Sequence, residues 1–144
     1  MLDLRQRGFS LVELAIVLVV MGLLLTFSIP GFRGLSSTYQ LRGATENIAG
    51  QLRLARAKAI ATGVEQPLHI PNSTTYHIHY PSGISTAWTL PRGVTFTNPT
   101  VGSWLHMASD GHLNETGSRI IVVRNTRGAL DTVSVQLSGL ILVR

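Results

Sequence analysis

The sequence contains no cysteine, which excludes disulfide bonds, thiolate nucleophiles and cysteine-ligated zinc or iron–sulfur centres. Charge is also scarce: 13% of the 144 residues are charged, about half the share of an average soluble domain. Only one of the twelve basic residues is a lysine, and the formal net charge is +5. The apolar fraction of 44% argues against disorder, and the length fits one ordinary domain.

Most of the hydrophobicity lies in one run, residues 9–29, in which Glu13 is the single charged side chain. As a helix this run would be about 31 Å long, close to the thickness of the hydrocarbon core of a bilayer. Arg5 and Arg7 precede it, and their positive charge predicts a cytoplasmic N-terminus with the rest of the chain exported. A cleaved secretory signal peptide is disfavoured, because Pro30 directly follows the run and fits a cleavage site poorly.

Glu13 is the most informative residue of this segment. An ionised carboxylate is costly in hydrocarbon and needs a partner, and residues 9–29 contain no cation. A cut between Gly8 and Phe9 would create an α-amino group within the first helical turns, on this chain or on a neighbouring subunit. The alternative is that Glu13 lies near the membrane surface and its carboxylate reaches the lipid head groups, although its side chain is short for that.

Residues 7–14, Arg-Gly-Phe-Ser-Leu-Val-Glu-Leu, resemble the class III signal sequence of type IV prepilins and type II secretion pseudopilins. The resemblance implies that the prepilin peptidase cleaves between Gly8 and Phe9 and that Phe9 is N-methylated. It also implies that Glu13 acts in assembly by contacting the N-terminus of a neighbouring subunit. Pro30 falls where pilins often carry a proline that kinks the helix. The remaining chain is similar to the GspH/FimT branch, notably over residues 30–33 and 41–60 and at Asp110-Gly111.

The rest of the sequence predicts an α+β fold. Apolar residues recur every three or four positions after Pro30, which predicts a helix that ends near Gly63. Alternating β-branched and aromatic residues then predict eight strands of antiparallel sheet against which this helix packs. The predicted strands are Gln66–Ile70, Thr75–Tyr80, Thr86–Leu90, Val94–Thr97, Ser103–Met107, Arg119–Arg124, Thr132–Leu137 and Leu140–Val143.

Histidine is the only residue type that suggests a metal site. His77 and His79 lie two apart on one strand face, and His69, His106 or His112 would have to complete a ligand set. The favoured interpretation is a solvated strand face, with no metal and no cofactor. Neither a nucleophile elbow nor a glycine-rich phosphate loop is present, so an enzyme is not expected.

The basic residues raise the question of whether the protein binds nucleic acid. Arg119, Arg124, Arg127 and Arg144 come from the C-terminal strands and turns and are candidates for binding DNA phosphates. Some FimT-like minor pilins bind DNA through a Gly-Arg-x-Arg motif near the C-terminus. Here leucines occupy both arginine positions after Gly139, so solubility and steering toward acidic neighbours are favoured over DNA binding.

These observations predict four segments: a leader peptide (1–8), a transmembrane assembly helix (9–30), an amphipathic periplasmic helix (31–63) and a β-rich domain (64–144). The resemblance implies a minor pseudopilin of the type II secretion system in the inner membrane. Its partners would be other pilins or pseudopilins, the prepilin peptidase and membrane lipid. The alternative is a FimT-like minor pilin of a type IV pilus, for assembly priming or DNA uptake. A membrane-anchored periplasmic metal-binding or enzymatic domain is a distant third.

Overall fold

The computed structural model describes residues 9–79, 83, 86–115 and 119–144, and only the backbone of residues 27–35 and of Thr86. Helix α1 (Leu11–Thr62) begins the fold and eight strands follow it. The chain divides into two compact units, Met1–Ser36 and Ser37–Arg144. The leader with Gly8 lies outside the described residues, as does Tyr80.

The first unit contains the N-terminal half of α1. Ser10 caps the helix, because its Oγ accepts the backbone N–H of Glu13 at 3.4 Å. Every side chain of residues 9–26 is exposed, and Phe9 and Leu11 are 82% and 84% accessible. The backbone stays helical through Pro30, as the sequence predicts. Within the part of the chain that the structure describes, no helix has the length and hydropathy needed to cross a membrane.

The second unit contains all eight strands, arranged in two antiparallel sheets. Sheet A has the strand order β3-β2-β1-β5 and sheet B the order β4-β6-β7-β8. The strands are β1 (Gln66–His69), β2 (Thr75–Ile78), β3 (Thr86–Thr89), β4 (Val94–Asn98), β5 (Trp104–Met107), β6 (Arg119–Asn125), β7 (Leu130–Val135) and β8 (Ile141–Val143). The sheets are joined where the N–H of Phe96 donates to the carbonyl of Ser73 at 2.8 Å.

One hydrophobic core joins the second half of α1 to both sheets. The predicted helical stripe is buried at every position and comprises Leu41, Ala44, Ile48, Leu52, Ala55 and Ala59. It packs with the inward-facing residues of sheet A, such as Leu68 and Met107, and of sheet B, such as Val123 and Val133. Small alanines on the helix let its backbone come close to the strands, because they leave no long side chain between the two layers.

Polar contacts fasten this half of the helix to residues far along the chain. Arg56 donates from Nε to the carbonyl of Gly111 at 2.9 Å and from Nη2 to that of Ser138 at 3.2 Å. Thr45 donates to Asp131 Oδ2 at 2.9 Å. The two Arg56 bonds satisfy backbone carbonyls in turns, whereas the Thr45 bond reaches a carboxylate of β7.

The predicted strands are all present, with ends that differ by one or two residues. The largest difference is β7, which begins at Leu130 and ends at Val135, two residues earlier than predicted. Leu137 was expected to face the core, but the turn into β8 starts before it and leaves its side chain 46% exposed. The helix ends at Thr62, directly before Gly63 as predicted.

Candidate functional site

The first candidate site is the N-terminal turn of α1, where Phe9 and Glu13 lie. Glu13 occupies the third position after the Ser10 cap, and a carboxylate in the first turn is stabilised by the helix dipole. The spacing Ser10-x-x-Glu13 is that of a capping box, a signal that sequence reasoning missed here.

Glu13 has no ionic partner within the part of the chain that the structure describes. Its side chain is exposed, and none of the ion pairs found among the described residues includes it. The assembly role of Glu13 therefore stays a prediction. Gly8, the other processing residue, lies outside the described residues, and the side chain of Pro30 is likewise not described.

The four arginines proposed as a DNA surface do not form one continuous stripe. Arg119 lies at the start of β6 and pairs with the carboxylate of Glu115, whose side chain is only 9% exposed. Arg124 lies near the other end of the same strand, five residues and about 17 Å away. Because five is odd, the two side chains leave opposite faces of the strand.

The remaining arginines lie at or beside the outer face of sheet B. Arg144 is directly opposite Thr132, with which it exchanges two backbone hydrogen bonds of 2.9 and 3.1 Å. Thr132 is in turn opposite Val122, which shares the outward face of β6 with Arg124. Arg127 lies in the β6–β7 turn, where its N–H donates to Asn125 Oδ1 at 3.0 Å. Three of the four arginines therefore lie at or beside one face of sheet B, but they are dispersed over it, with β7 between Arg124 and Arg144.

The histidines are arranged differently from the expectation of a solvated strand face. His69 and His77 are directly opposite each other on β1 and β2, with His69 Nδ1 and His77 Nε2 3.0 Å apart. His79 follows β2 on the same face, and all three side chains are half-buried. His69, rather than His106 or His112, is therefore the residue that lies close enough to His77 and His79 to complete a set of metal ligands. His106 pairs with Glu65, and His112 with Asp110.

Burial and repulsion between neighbouring rings lower the pKa of two members of this cluster. Burial is the main cause that lowers the pKa of His69, and the proximity of His79 adds to it. The pKa of His77 is lowered first by burial and then by His79 and His69. On the opposite, inward face of β2, the Tyr76 hydroxyl donates to Asn47 Oδ1 at 2.8 Å, and burial raises the pKa of Tyr76.

Comparison with known proteins gives one sequence match and several structural ones. The family model described as the prokaryotic N-terminal methylation motif matches residues 3–29. Among curated proteins, no sequence matches this chain.

The structural matches are to minor pilins and pseudopilins. The type IV minor pilin FimU of Pseudomonas aeruginosa superposes with a TM-score of 0.61 at 17% identity, covering 76% of this chain and 92% of FimU. The minor pseudopilin EpsH from the type 2 secretion system of Vibrio cholerae gives a TM-score of 0.57 at 13% identity, covering 73% of this chain and 96% of EpsH. The chain therefore has the α+β fold of pilins. Its residues 3–29 match the N-terminal methylation motif.

Proposed function

We propose that the chain is a minor pseudopilin subunit of a type II secretion system. It is anchored in the inner membrane by residues 9–29, cleaved between Gly8 and Phe9, methylated on Phe9 and packed into a short periplasmic pseudopilus. The subunit acts mechanically, through assembly, and catalyses no reaction. The match of residues 3–29 to the N-terminal methylation motif is the observation that carries the proposal, because the proposed cleavage and methylation need such a motif at the start of the chain.

The exposed apolar half of α1 supports the same proposal. Residues 9–26 present large apolar side chains on every side of the helix, a surface that needs lipid or other helices to cover it. In lipid, the unpaired Glu13 is destabilised. In a filament, the new α-amino group of a neighbouring subunit can neutralise it, so assembly is favoured over residence in the membrane.

Replacing Glu13 with leucine should leave membrane insertion unchanged and reduce incorporation into filaments severalfold. The charge that finds a partner during assembly is lost, whereas the apolar run becomes longer. The measurement is the fraction of the protein that crosslinks to other pilin-like subunits in intact cells, relative to the total in the membrane fraction.

Glu46→Leu is the matched control, because it makes the same change on an exposed acidic residue of the same helix. Glu13→Asp should recover part of the assembly, because it keeps the charge. Normal filament incorporation of the Glu13→Leu variant would contradict the assembly role of this residue.

A FimT-like minor pilin of a type IV pilus is the second candidate, supported by the match to FimU. The two machines are separated by deleting the gene and measuring both phenotypes. Loss of exported proteins from the medium with pilus functions intact is the outcome expected for a pseudopilin. Loss of surface pili or of DNA uptake would favour the alternative.

DNA binding is not expected, because Arg119 is neutralised by Glu115 and the other three arginines are dispersed. The full chain in detergent should leave the gel mobility of duplex DNA unchanged at low salt, where phosphate contacts are strongest. Retardation that disappears in an Arg124→Ala, Arg127→Ala, Arg144→Ala triple variant would contradict this prediction and assign a nucleic-acid surface to sheet B.

A further inference from the structure

The most concentrated chemistry outside the assembly helix is the outward face of sheet A. There β1 and β2 place His69, His77 and His79 so that one ring nitrogen of each lies within 4.8 Å of those of the other two. No other group of three or more histidine or acidic side chains among the described residues is close enough to hold a metal ion. The antiparallel register produces the cluster, because His69 and His77 are cross-strand partners and His79 is two residues further along.

The spacing is close to that of a metal site. Tetrahedral ligands at zinc–nitrogen distances of 2.0–2.1 Å are about 3.3 Å apart, so the ring nitrogens would have to approach by about 1.5 Å at most. Side-chain rotations of half-buried imidazoles can supply that movement without a change in the strands. A neutral imidazole can also move its proton to the other ring nitrogen, which frees the coordinating nitrogen as an acceptor.

His79 provides a second, independent observation. Its Nε2 is buried and has no hydrogen-bond partner among the described residues, whereas His69 Nδ1 and His77 Nε2 lie within hydrogen-bond distance of each other. A buried polar atom without a partner is costly, and native structures usually resolve it with a ligand, an ion or water. A cation held by all three rings would give this nitrogen its partner.

The surroundings hold the cluster in place. The indole of Trp104 stacks on His69 with a centroid distance of 4.0 Å and an interplanar angle of 10°, and it lies 4.9 Å from the ring of His79. On the same face, Nδ1 of His106 contacts the carboxylate of Glu65.

We propose that His69, His77 and His79 bind one divalent first-row transition-metal ion of the Zn²⁺ class. Imidazole suits Zn²⁺, Ni²⁺ and Cu²⁺ better than Ca²⁺ or Mg²⁺, which prefer oxygen ligands. Three protein ligands leave a fourth position for water. The site lies in the globular unit and is independent of the proposed role in secretion.

The test is calorimetric titration of Zn²⁺ into the full chain in detergent micelles, purified with a tag that contains no histidine. One ion should bind per chain, and Zn²⁺ should raise the melting temperature. Because removing even supporting residues of metal sites weakens binding by about tenfold or more, His77→Asn and His79→Asn should each weaken it at least that much. The double variant should show no binding at this site.

His112→Asn is the matched control, because it makes the same substitution at an exposed histidine outside the cluster. Tryptophan fluorescence and circular dichroism of each variant without metal verify that the domain is folded. The proposal is overturned if the wild-type chain binds no Zn²⁺, or if the cluster variants and His112→Asn bind it equally well. Equal binding of Ca²⁺ and Zn²⁺ would also overturn it, because three imidazoles should discriminate between them.

Discussion

Replacing Gly139 with alanine should lower the free energy of unfolding of the globular unit by about 2–4 kcal/mol, the sum expected for left-handed strain and overpacking. Gly139 lies in the β7–β8 turn at φ +76°, a conformation that L-residues rarely adopt. A Cβ at this position would lie 1.9 Å from the carbonyl oxygen of Gly111 and 2.7 Å from Arg56 Nε. The first of these is backbone, so the clash cannot be relieved by a side-chain rotation.

The clash also affects the hydrogen bonds that hold α1 against the two turns. The carbonyl of Gly111 accepts the bond from Arg56 Nε, and the carbonyl of Ser138, the neighbour of Gly139, accepts the bond from Nη2. Any shift that makes room for the methyl group lengthens at least one of these bonds. Hydrogen bonds to charged groups contribute about 1.5–3 kcal/mol each, so the loss adds to the strain.

The Gly128→Ala variant separates the cost of left-handed backbone strain from the cost of the steric clash. Gly128 has a similar φ of +83°, but nothing lies within 4 Å of the position its Cβ would occupy. This variant should cost only the backbone strain, about 1–2 kcal/mol. Denaturant unfolding of the full chain in detergent, followed by the fluorescence of Trp88 and Trp104, measures both variants. If Gly139→Ala is no more destabilising than Gly128→Ala, the close approach of the two turns is not as described.

Replacing Gly8 with valine should abolish processing almost completely. A peptidase pocket that accepts glycine before the scissile bond has no room for an isopropyl group. The unprocessed protein would keep its leader, and Phe9 would have no free amino group for methylation. Without that amino group, the proposed partner of Glu13 in a neighbouring subunit is absent, so filament incorporation should fail as well.

Mass spectrometry of the N-terminal peptide measures this effect directly. Wild-type protein should begin with methylated Phe9, and the Gly8→Val variant should begin with the leader. Gln6→Val places the same side chain two residues earlier and should be processed normally. A methylated Phe9 at the N-terminus of the Gly8→Val variant would refute the assigned cleavage site.

Hydrophobic periodicity predicts most of the helix and strands, because the spacing of the buried side chains determines both the type of element and the face that it buries. The stripe from Leu41 to Ala59 and the alternation at Tyr76 and Ile78 each lead to the correct element and the correct buried face. The end of β7 is less predictable, since Leu137 continues the alternating pattern and only the turn geometry before Gly139 terminates the strand. The hydrophobic pattern also does not predict the order of the strands within each sheet, because strand pairing depends on contacts between residues that are distant in sequence.

The candidate sites also differ in how far the sequence alone predicts them. The proposed processing and assembly residues lie within six positions of one another, so the motif around Gly8, Phe9 and Glu13 can be recognised without a structure. The histidine cluster depends on the β1–β2 register, which brings His69 to His77. The arginines look alike in sequence, and only the structure distinguishes Arg119, which is paired with Glu115, from the three that are dispersed.

The contacts of α1 have a consequence for the order in which the domain forms. Three of its polar side chains find their acceptors 82 to 88 residues later in the chain: Thr45 at Asp131, Arg53 at the carbonyl of Ile141 and Arg56 at that of Ser138. A ribosome that has synthesised the whole helix has not yet made any of these acceptors. These polar contacts therefore cannot form until β7 and β8 have been synthesised, and such long-range closure is typical of slow folding.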